Sequence, residues 1–142
     1  MDRVQRTVDL FLNGLNCSQA MLTSFGEQYG LDAETAKALG RGLGGGIGRQ
    51  GGPCGALTGA ALVLGLAATC SDENQAKSNA LRSVRELFDR FRDVRRTTEC
   101  RMLLGEDIST EEGMKRIKEA NLFRTVCPDI VRDAAEILQG LL

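Results

Sequence analysis

Hydrophobic residues recur every three to four positions in several separate segments of the chain, which is typical of amphipathic helices. The first such segment carries Val4, Val8, Phe11, Leu12 and Leu15. A longer one, over about residues 74–96, carries Ala76, Ala80, Leu81, Val84, Leu87, Phe88, Phe91 and Val94. No segment alternates with a period of two for long, so we expect no sheet. The pattern predicts an all-α fold, a compact single-domain bundle of about five to six helices.

Polar and glycine residues mark where these helices are expected to begin and end. Asn16 and Asp32 stand where N-caps are expected, before the second and third helices. Gly30 is expected to end the second helix, since glycine accepts the left-handed backbone of a C-terminus. Residues 109–112 resemble a capping box that opens a polar helix. Pro128 is suited to the first turn of the last helix.

The most apolar stretch, residues 56–69, predicts the centre of the bundle. It is about 14 residues long, short of the ~20 needed to cross a bilayer, so we expect no membrane span. It is rich in alanine and glycine, which favours a buried central helix with close neighbours. Pro53 precedes it and is suited to a first helical turn.

A glycine-dense loop over residues 40–52 leads into the central helix. Residues 46–51 match GxGxxG, but no hydrophobic strand precedes them, so we expect no nicotinamide cofactor. The loop is interpreted as a tight connection that lets backbone approach the central helix, or as a nest of N–H groups that faces an anion or a thiolate. Arg41 and Arg49 flank the glycines and would add positive potential there.

Composition limits the class of protein. The 142 residues suit one domain, 1–142, and no linker divides them. The net charge of −1, from 18 basic and 19 acidic residues, gives little electrostatic support for nucleic-acid binding. The first ten residues are charged and lack the apolar region of a signal peptide, so we expect a cytoplasmic protein. In that compartment, grouped thiols are more often catalytic, redox-sensing or metal-binding than structural.

The chain has five cysteines and no histidine. The lack of histidine excludes Cys–His nucleophile pairs, Ser–His–Asp triads and histidine-ligated metals. No Cys-x-x-Cys pair is present, so neither a thioredoxin-type motif nor an ordinary zinc knuckle is expected. No Cys-x-x-Cys-His is present either, so we expect no c-type haem.

Three cysteines, Cys17, Cys54 and Cys127, fall where helices are predicted to begin. A helix N-terminus stabilises negative charge and so favours thiolate over thiol. Cys54 is the strongest candidate for an activated thiolate, because the glycine loop and the start of the central helix coincide there. The alternative is a buried, inert cysteine on a tightly packed helix. Cys70, at the end of the apolar stretch, is interpreted as structural or incidental.

Small residues surround Cys54 on both sides. Gly52, Gly55 and Gly59 would let a second backbone or a cofactor approach the start of the central helix. We therefore count these three glycines as candidate cofactor contacts.

The cysteine spacing resembles that of the C-GCAxxG-C-C family, whose members are described as redox-active. The resemblance rests on Cys17, the block at residues 54–59, Cys100 and Cys127, and runs over nearly the whole chain. One departure is Pro53, which precedes Cys54 where the family name has glycine. The resemblance implies a redox role for these four cysteines and leaves Cys70 outside the set. It supplies no substrate.

Three hypotheses follow. In the first, Cys54 attacks a disulfide and a second cysteine of the set, not identifiable from sequence, resolves the mixed disulfide. In the second, Cys17, Cys54, Cys100 and Cys127 bind an iron–sulfur cluster or a zinc ion. In the third, the chain is a helical interaction domain with buried cysteines. The sequence does not identify a redox partner. The apolar stripe over residues 74–96 would allow a homodimer.

Overall fold

The structure is a computed structural model that describes residues 2–142; Met1, the first residue of the predicted domain 1–142, lies outside this range. Within it there are nine α-helices, one 3₁₀ helix and no β-strand. The α-helices are α1 (Arg3–Leu12), α2 (Cys17–Gly26), α3 (Ala33–Gly40), α4 (Gly55–Ala67), α5 (Glu73–Arg95), α6 (Cys100–Leu104), α7 (Glu111–Glu119), α8 (Leu122–Thr125) and α9 (Cys127–Leu141). The all-α class is confirmed. The expected number of five to six helices is too low, and the nine observed include α6 and α8, which at 5 and 4 residues are too short to show a hydrophobic period.

Several helix starts follow from single polar residues. The Asn16 side chain accepts a hydrogen bond from the Gln19 N–H, and the Gln19 side chain accepts one from the Asn16 N–H. This reciprocal capping box satisfies two backbone donors that have no partner inside α2. Asp32 caps α3 in the simpler way. Thr110 caps α7 by accepting from the Gly113 N–H.

The core of the bundle is formed around α4. Its inner side chains, among them Leu57, Ala60 and Val63, are fully buried. They pack with buried residues of α1, α2, α5 and α9 in one cluster. A Cβ at Gly59 would lie 2.9 Å from the Ser18 carbonyl oxygen, so glycine is needed for α2 and α4 to approach this closely. The small residues of the central helix therefore serve helix packing.

The long helix α5 is only partly covered. Leu87 and Phe91 are fully buried, whereas Leu81 and Val94 are 64% and 57% exposed. Near its end, Arg95 pairs with Asp133 of α9 at 2.6 Å. The apolar stripe is thus shared between the core and the surface, and the homodimer stays a prediction.

Across residues 2–142, no helix is both long enough and apolar enough to traverse a membrane. The apolar helix α4 has 13 residues, and its inner face is buried among its neighbours, whereas Leu62 and Leu66 are 43% and 37% exposed.

Candidate functional site

Four helices begin at a cysteine and face one cavity. Cys17, Cys100 and Cys127 are the first residues of α2, α6 and α9, and Cys54 is the N-cap of α4. All four line a cavity of about 660 Å³. Cys70 is exposed beyond the far end of α4 and does not line it.

A short backbone pairing fixes Cys54 beside Cys100. Pro53 and Glu99 form an isolated antiparallel bridge. The Cys54 N–H donates to the Thr98 carbonyl at 2.8 Å, and the Cys100 N–H donates to the Gly52 carbonyl at 2.7 Å. The expectation that Pro53 lies in the first turn of the central helix is wrong, because this pairing holds it in extended backbone and α4 begins at Gly55.

The start of α2 is pressed against the start of α4. A Cβ at Gly55 would lie 3.2 Å from the Cys17 Cβ and 3.0 Å from the Ser18 Oγ. The Ser18 hydroxyl donates to the Gly55 carbonyl at 2.6 Å. This contact places Cys17 beside Cys54, and each thiol is the largest single influence on the pKa of the other. All five cysteines are free thiols, so no disulfide joins them.

The surroundings of Cys54 stabilise its thiolate. The Cys17 S–H lowers the pKa of Cys54 most strongly, since a donated hydrogen bond stabilises the charged sulfur. Burial opposes this shift, but the Ala56 and Leu57 N–H groups and the Arg95 charge also lower the pKa. These N–H groups face the sulfur, but the Cys54 side chain forms no regular N-cap hydrogen bond with them. The result is a pKa below that of an ordinary thiol.

The other three cysteines stay protonated. The pKa of Cys17 is raised well above its ordinary value, first by the interaction with Cys54 and then by burial. Burial and the Cys54 charge raise the pKa of Cys100 and of Cys127 to about 12 each, and Glu99 adds to the effect on Cys100. The expectation that a helix start favours thiolate at Cys17 and Cys127 is therefore wrong. Desolvation and a neighbouring negative charge exceed the helix-dipole effect there.

The glycine loop forms one wall of the cavity. Its N–H groups from residue 47 to residue 52 each donate to a carbonyl of the same loop, so they are not available to an anion. The nest interpretation is wrong for these residues. A Cβ at Gly46 would lie 2.3 Å from the Gly52 N, and Gly46 has φ +77°, so only glycine fits there. The loop is thus a tightly closed coil that positions the start of α4.

The three glycines predicted as cofactor contacts have different surroundings. Gly52 holds Cys100 through its carbonyl, and Gly55 lies in the cavity wall against Cys17. Gly59 packs on Ser18, away from the cavity lining. Packing and backbone hydrogen bonds account for the small size of all three, and a cofactor contact stays a prediction.

The remaining walls are apolar and the mouth is basic. The apolar lining comes from Phe11, Leu12, Leu15, Leu103, Leu104, Ile108, Phe123 and Ile130. Arg41, Arg49 and Arg124 also line the cavity, and no Asp or Glu does. Sequence reasoning identified Arg41 and Arg49 but missed Arg124 and the influence of Arg95 on Cys54. Arg124 lies three residues before Cys127, and Arg95 lies far from Cys54 in sequence, so neither role follows from a motif that the sequence displays.

The cysteines do not form a ready metal centre. Within residues 2–142, no group of three or more Cys, Asp or Glu side chains is arranged to hold a metal ion. In this arrangement the residues do not fit a four-cysteine zinc ion or cluster.

The motif in the family name shows that this chain differs from the family pattern at other positions than expected. The name spells Gly-Cys-Ala-x-x-Gly. Aligned on Ala56 and Gly59, the chain has Gly55 where the name has cysteine and Cys54 where the name has glycine. The difference is therefore an exchange at residues 54 and 55 and not a substitution at Pro53.

Comparison with known proteins gives one match. The family model matches residues 15–141, which include all four cavity cysteines. No match was found among curated proteins or among solved structures. The chain belongs to the C-GCAxxG-C-C family, described as putative redox-active proteins.

Proposed function

We propose that this protein exchanges thiols with disulfides, with Cys54 as the attacking thiolate and Cys17 as the resolving thiol. The observation that carries the proposal is the close approach of Cys17 to the start of α4, where a Cβ at Gly55 would lie 3.2 Å from the Cys17 Cβ, with Cys17 and Cys54 lining the same cavity. Family membership supports a redox role in general.

The exchange balances without a further reactant. The Cys54 thiolate attacks one sulfur of a substrate disulfide, whose S–S bond breaks to release a thiolate. Cys17, after losing its proton to solvent, attacks the Cys54 sulfur and releases the second thiolate. The substrate gains two electrons, and the protein pair loses two in forming its own disulfide. A dithiol would return the pair to the reduced state by the same steps in reverse.

The pairing of Cys17 with Cys54 gives the steps their order. While Cys54 is a thiolate, its charge and hydrogen bond are the main reason that the pKa of Cys17 is raised. Forming the mixed disulfide removes that charge, so Cys17 becomes easier to deprotonate when it is needed. Cys100 and Cys127, with pKa values of about 12, stay neutral at physiological pH and do not compete as attacking groups.

Mild oxidation of the reduced protein with diamide tests the pairing. We expect one dominant disulfide, between Cys17 and Cys54, identified by mass spectrometry of peptides prepared without reductant. Cys17→Ser and Cys54→Ser should each prevent it, and Cys70→Ser is the matched control that should leave it unchanged. A dominant disulfide between Cys100 and Cys127, or none at all, would contradict the proposal.

Four-cysteine ligation is the second candidate, favoured by one observation: all four sulfurs belong to one cavity. It requires the helix starts to move until the four sulfurs meet at one point. Anaerobic purification followed by metal analysis and visible absorption tests it, and a colourless, metal-free protein whose four cavity cysteines are free thiols would rule it out.

A further inference from the structure

The mouth of the cysteine cavity is basic although the chain is not. The chain has 18 basic and 19 acidic residues, yet the cavity lining includes Arg41, Arg49 and Arg124 and no acidic residue. None of these three arginines forms an ion pair with any of residues 2–142. Cationic groups without a counter-ion beside apolar walls attract and orient anions.

The backbone of Arg49 has a conformation that is unfavourable for any residue with a side chain. Its φ is +58°, and its N–H donates to the Gly44 carbonyl at 3.0 Å. Glycine adopts this conformation without strain and fills several neighbouring positions of positive φ in the same loop. A Cβ at Gly45 would lie 2.6 Å from the Arg49 Cγ, so the arginine stem lies across Gly45 in the cavity wall. The loop therefore holds a charged side chain in the cavity wall at a position where glycine would be unstrained.

Arg124 is a second cationic residue of the cavity lining, and it is anchored to α1. Its Nη2 donates to the Leu12 carbonyl at the end of α1, at 3.3 Å. This bond uses one of the five guanidinium donors, and the rest stay available to a ligand. The loop and α8 thus both contribute arginines to the lining of the same cavity.

We propose that the cavity binds a small organic disulfide that carries carboxylate groups. A carboxylate lies against Arg49 and its basic neighbours, the organic body lies on the apolar walls, and the S–S bond reaches Cys54. The volume of about 660 Å³ lies in the range of small-molecule sites, about 300–1,000 Å³. This inference rests on the proposed exchange function and names its substrate class. The electron balance is the one given above, with a carboxylate-bearing thiolate as leaving group.

Exchange rates with disulfides of opposite charge test the inference. The reduced protein is mixed with dithiodiglycolate, which is anionic, or cystamine, which is cationic, and each rate is divided by that of free cysteine with the same disulfide. We expect a preference for dithiodiglycolate. Arg49→Ala should reduce this preference about three- to tenfold, the range between an exposed ion pair and a charge-assisted hydrogen bond.

Two matched controls separate charge from backbone and net charge. Ile47→Gly relieves a similar strain, since Ile47 has φ +62°, without removing a charge. Arg82→Ala removes one positive charge from an exposed position of α5 outside the cavity. Both should keep the preference for the anionic disulfide, and Arg49→Lys should keep part of it. If Arg82→Ala reduced the preference as much as Arg49→Ala does, the cavity would not be its source.

A binding measurement separates this inference from the proposed function. Calorimetry of Cys54→Ser with dithiodiglycolate reports binding without exchange, and the affinity should fall as salt is added. If exchange fails with both disulfides while this binding persists, the exchange function is wrong and the anion site stands. Equal normalised rates with both disulfides, or reaction with disulfide-bonded proteins alone, would overturn the small-molecule inference and leave exchange intact.

Discussion

The starts of α4 and α9 share a sequence pattern and differ in chemistry. Each has a buried cysteine beside a proline, and both sulfurs face the same cavity. The pKa of Cys54 is lowered and that of Cys127 is raised to about 12. The difference comes from partners: Cys54 has a thiol donor, two backbone N–H groups and Arg95, whereas burial and neighbouring sulfurs act on Cys127. A helix N-terminus therefore activates a buried thiol only when further donors offset desolvation.

The largest expected effect is a difference in alkylation rate between these two cysteines. At pH 7, a thiol with a pKa of about 12 is ionised in about one molecule in 100,000. A thiol with a pKa below 9 is ionised at least about 1% of the time. The greater nucleophilicity of the more basic thiolate offsets part of this ratio and leaves Cys54 about 30-fold faster or more. Quantitative mass spectrometry of iodoacetamide-labelled peptides measures both rates, and equal rates would remove the contrast.

Removing the thiol donor should weaken the contrast. Cys17→Ala deletes the largest cause of the lowered Cys54 pKa, so the midpoint of the Cys54 alkylation profile should move to higher pH. Cys17→Ser keeps a hydroxyl donor and should move it less. Cys100→Ala is the control, because Cys100 is not among the causes that lower the pKa of Cys54. An unchanged profile in Cys17→Ala would show that Arg95 and the backbone suffice.

The smallest expected effect is on stability at alkaline pH. Folded Cys100 and Cys127 keep their protons to about pH 12, whereas thiols of the unfolded chain lose them near 9.0. The unfolded state therefore binds fewer protons between these values, and the free energy of unfolding falls as pH rises through this window. Cys127→Ala should make the fall shallower between pH 9 and 11, measured by urea unfolding. Cys70→Ala should leave the slope unchanged, and a matching change there would refute the assignment.

Local sequence signals were enough to predict much of the fold. Asn16 and Asp32 cap their helices as expected, because a short polar side chain satisfies nearby N–H groups, an interaction confined to a few residues. The capping box expected over residues 109–112 is wrong, because Thr110 is the N-cap and the residue that donates to it is Gly113. The stripe of α5 was visible because its period is set by helix geometry. The bridge between Pro53 and Glu99 was not, since it joins residues far apart in sequence and leaves no periodic trace.

The sequence predicted which cysteines form the candidate site, but not the direction of their pKa shifts. The family pattern selected the four cysteines that line the cavity. The sign of each pKa shift depends on which groups approach in space. Arg95 acts on Cys54 from the end of another helix, and the raised pKa of Cys17 is a consequence of Cys54 itself. Such effects arise only after the helices pack.

The short backbone pairing between residues 52–54 and 98–100 is made of main-chain hydrogen bonds. Its geometry is therefore independent of the element at the tip of each cysteine side chain. A protein engineer could exchange sulfur for selenium at residue 54 while the scaffold stays in place, and so retune the reactivity of the centre by chemistry alone.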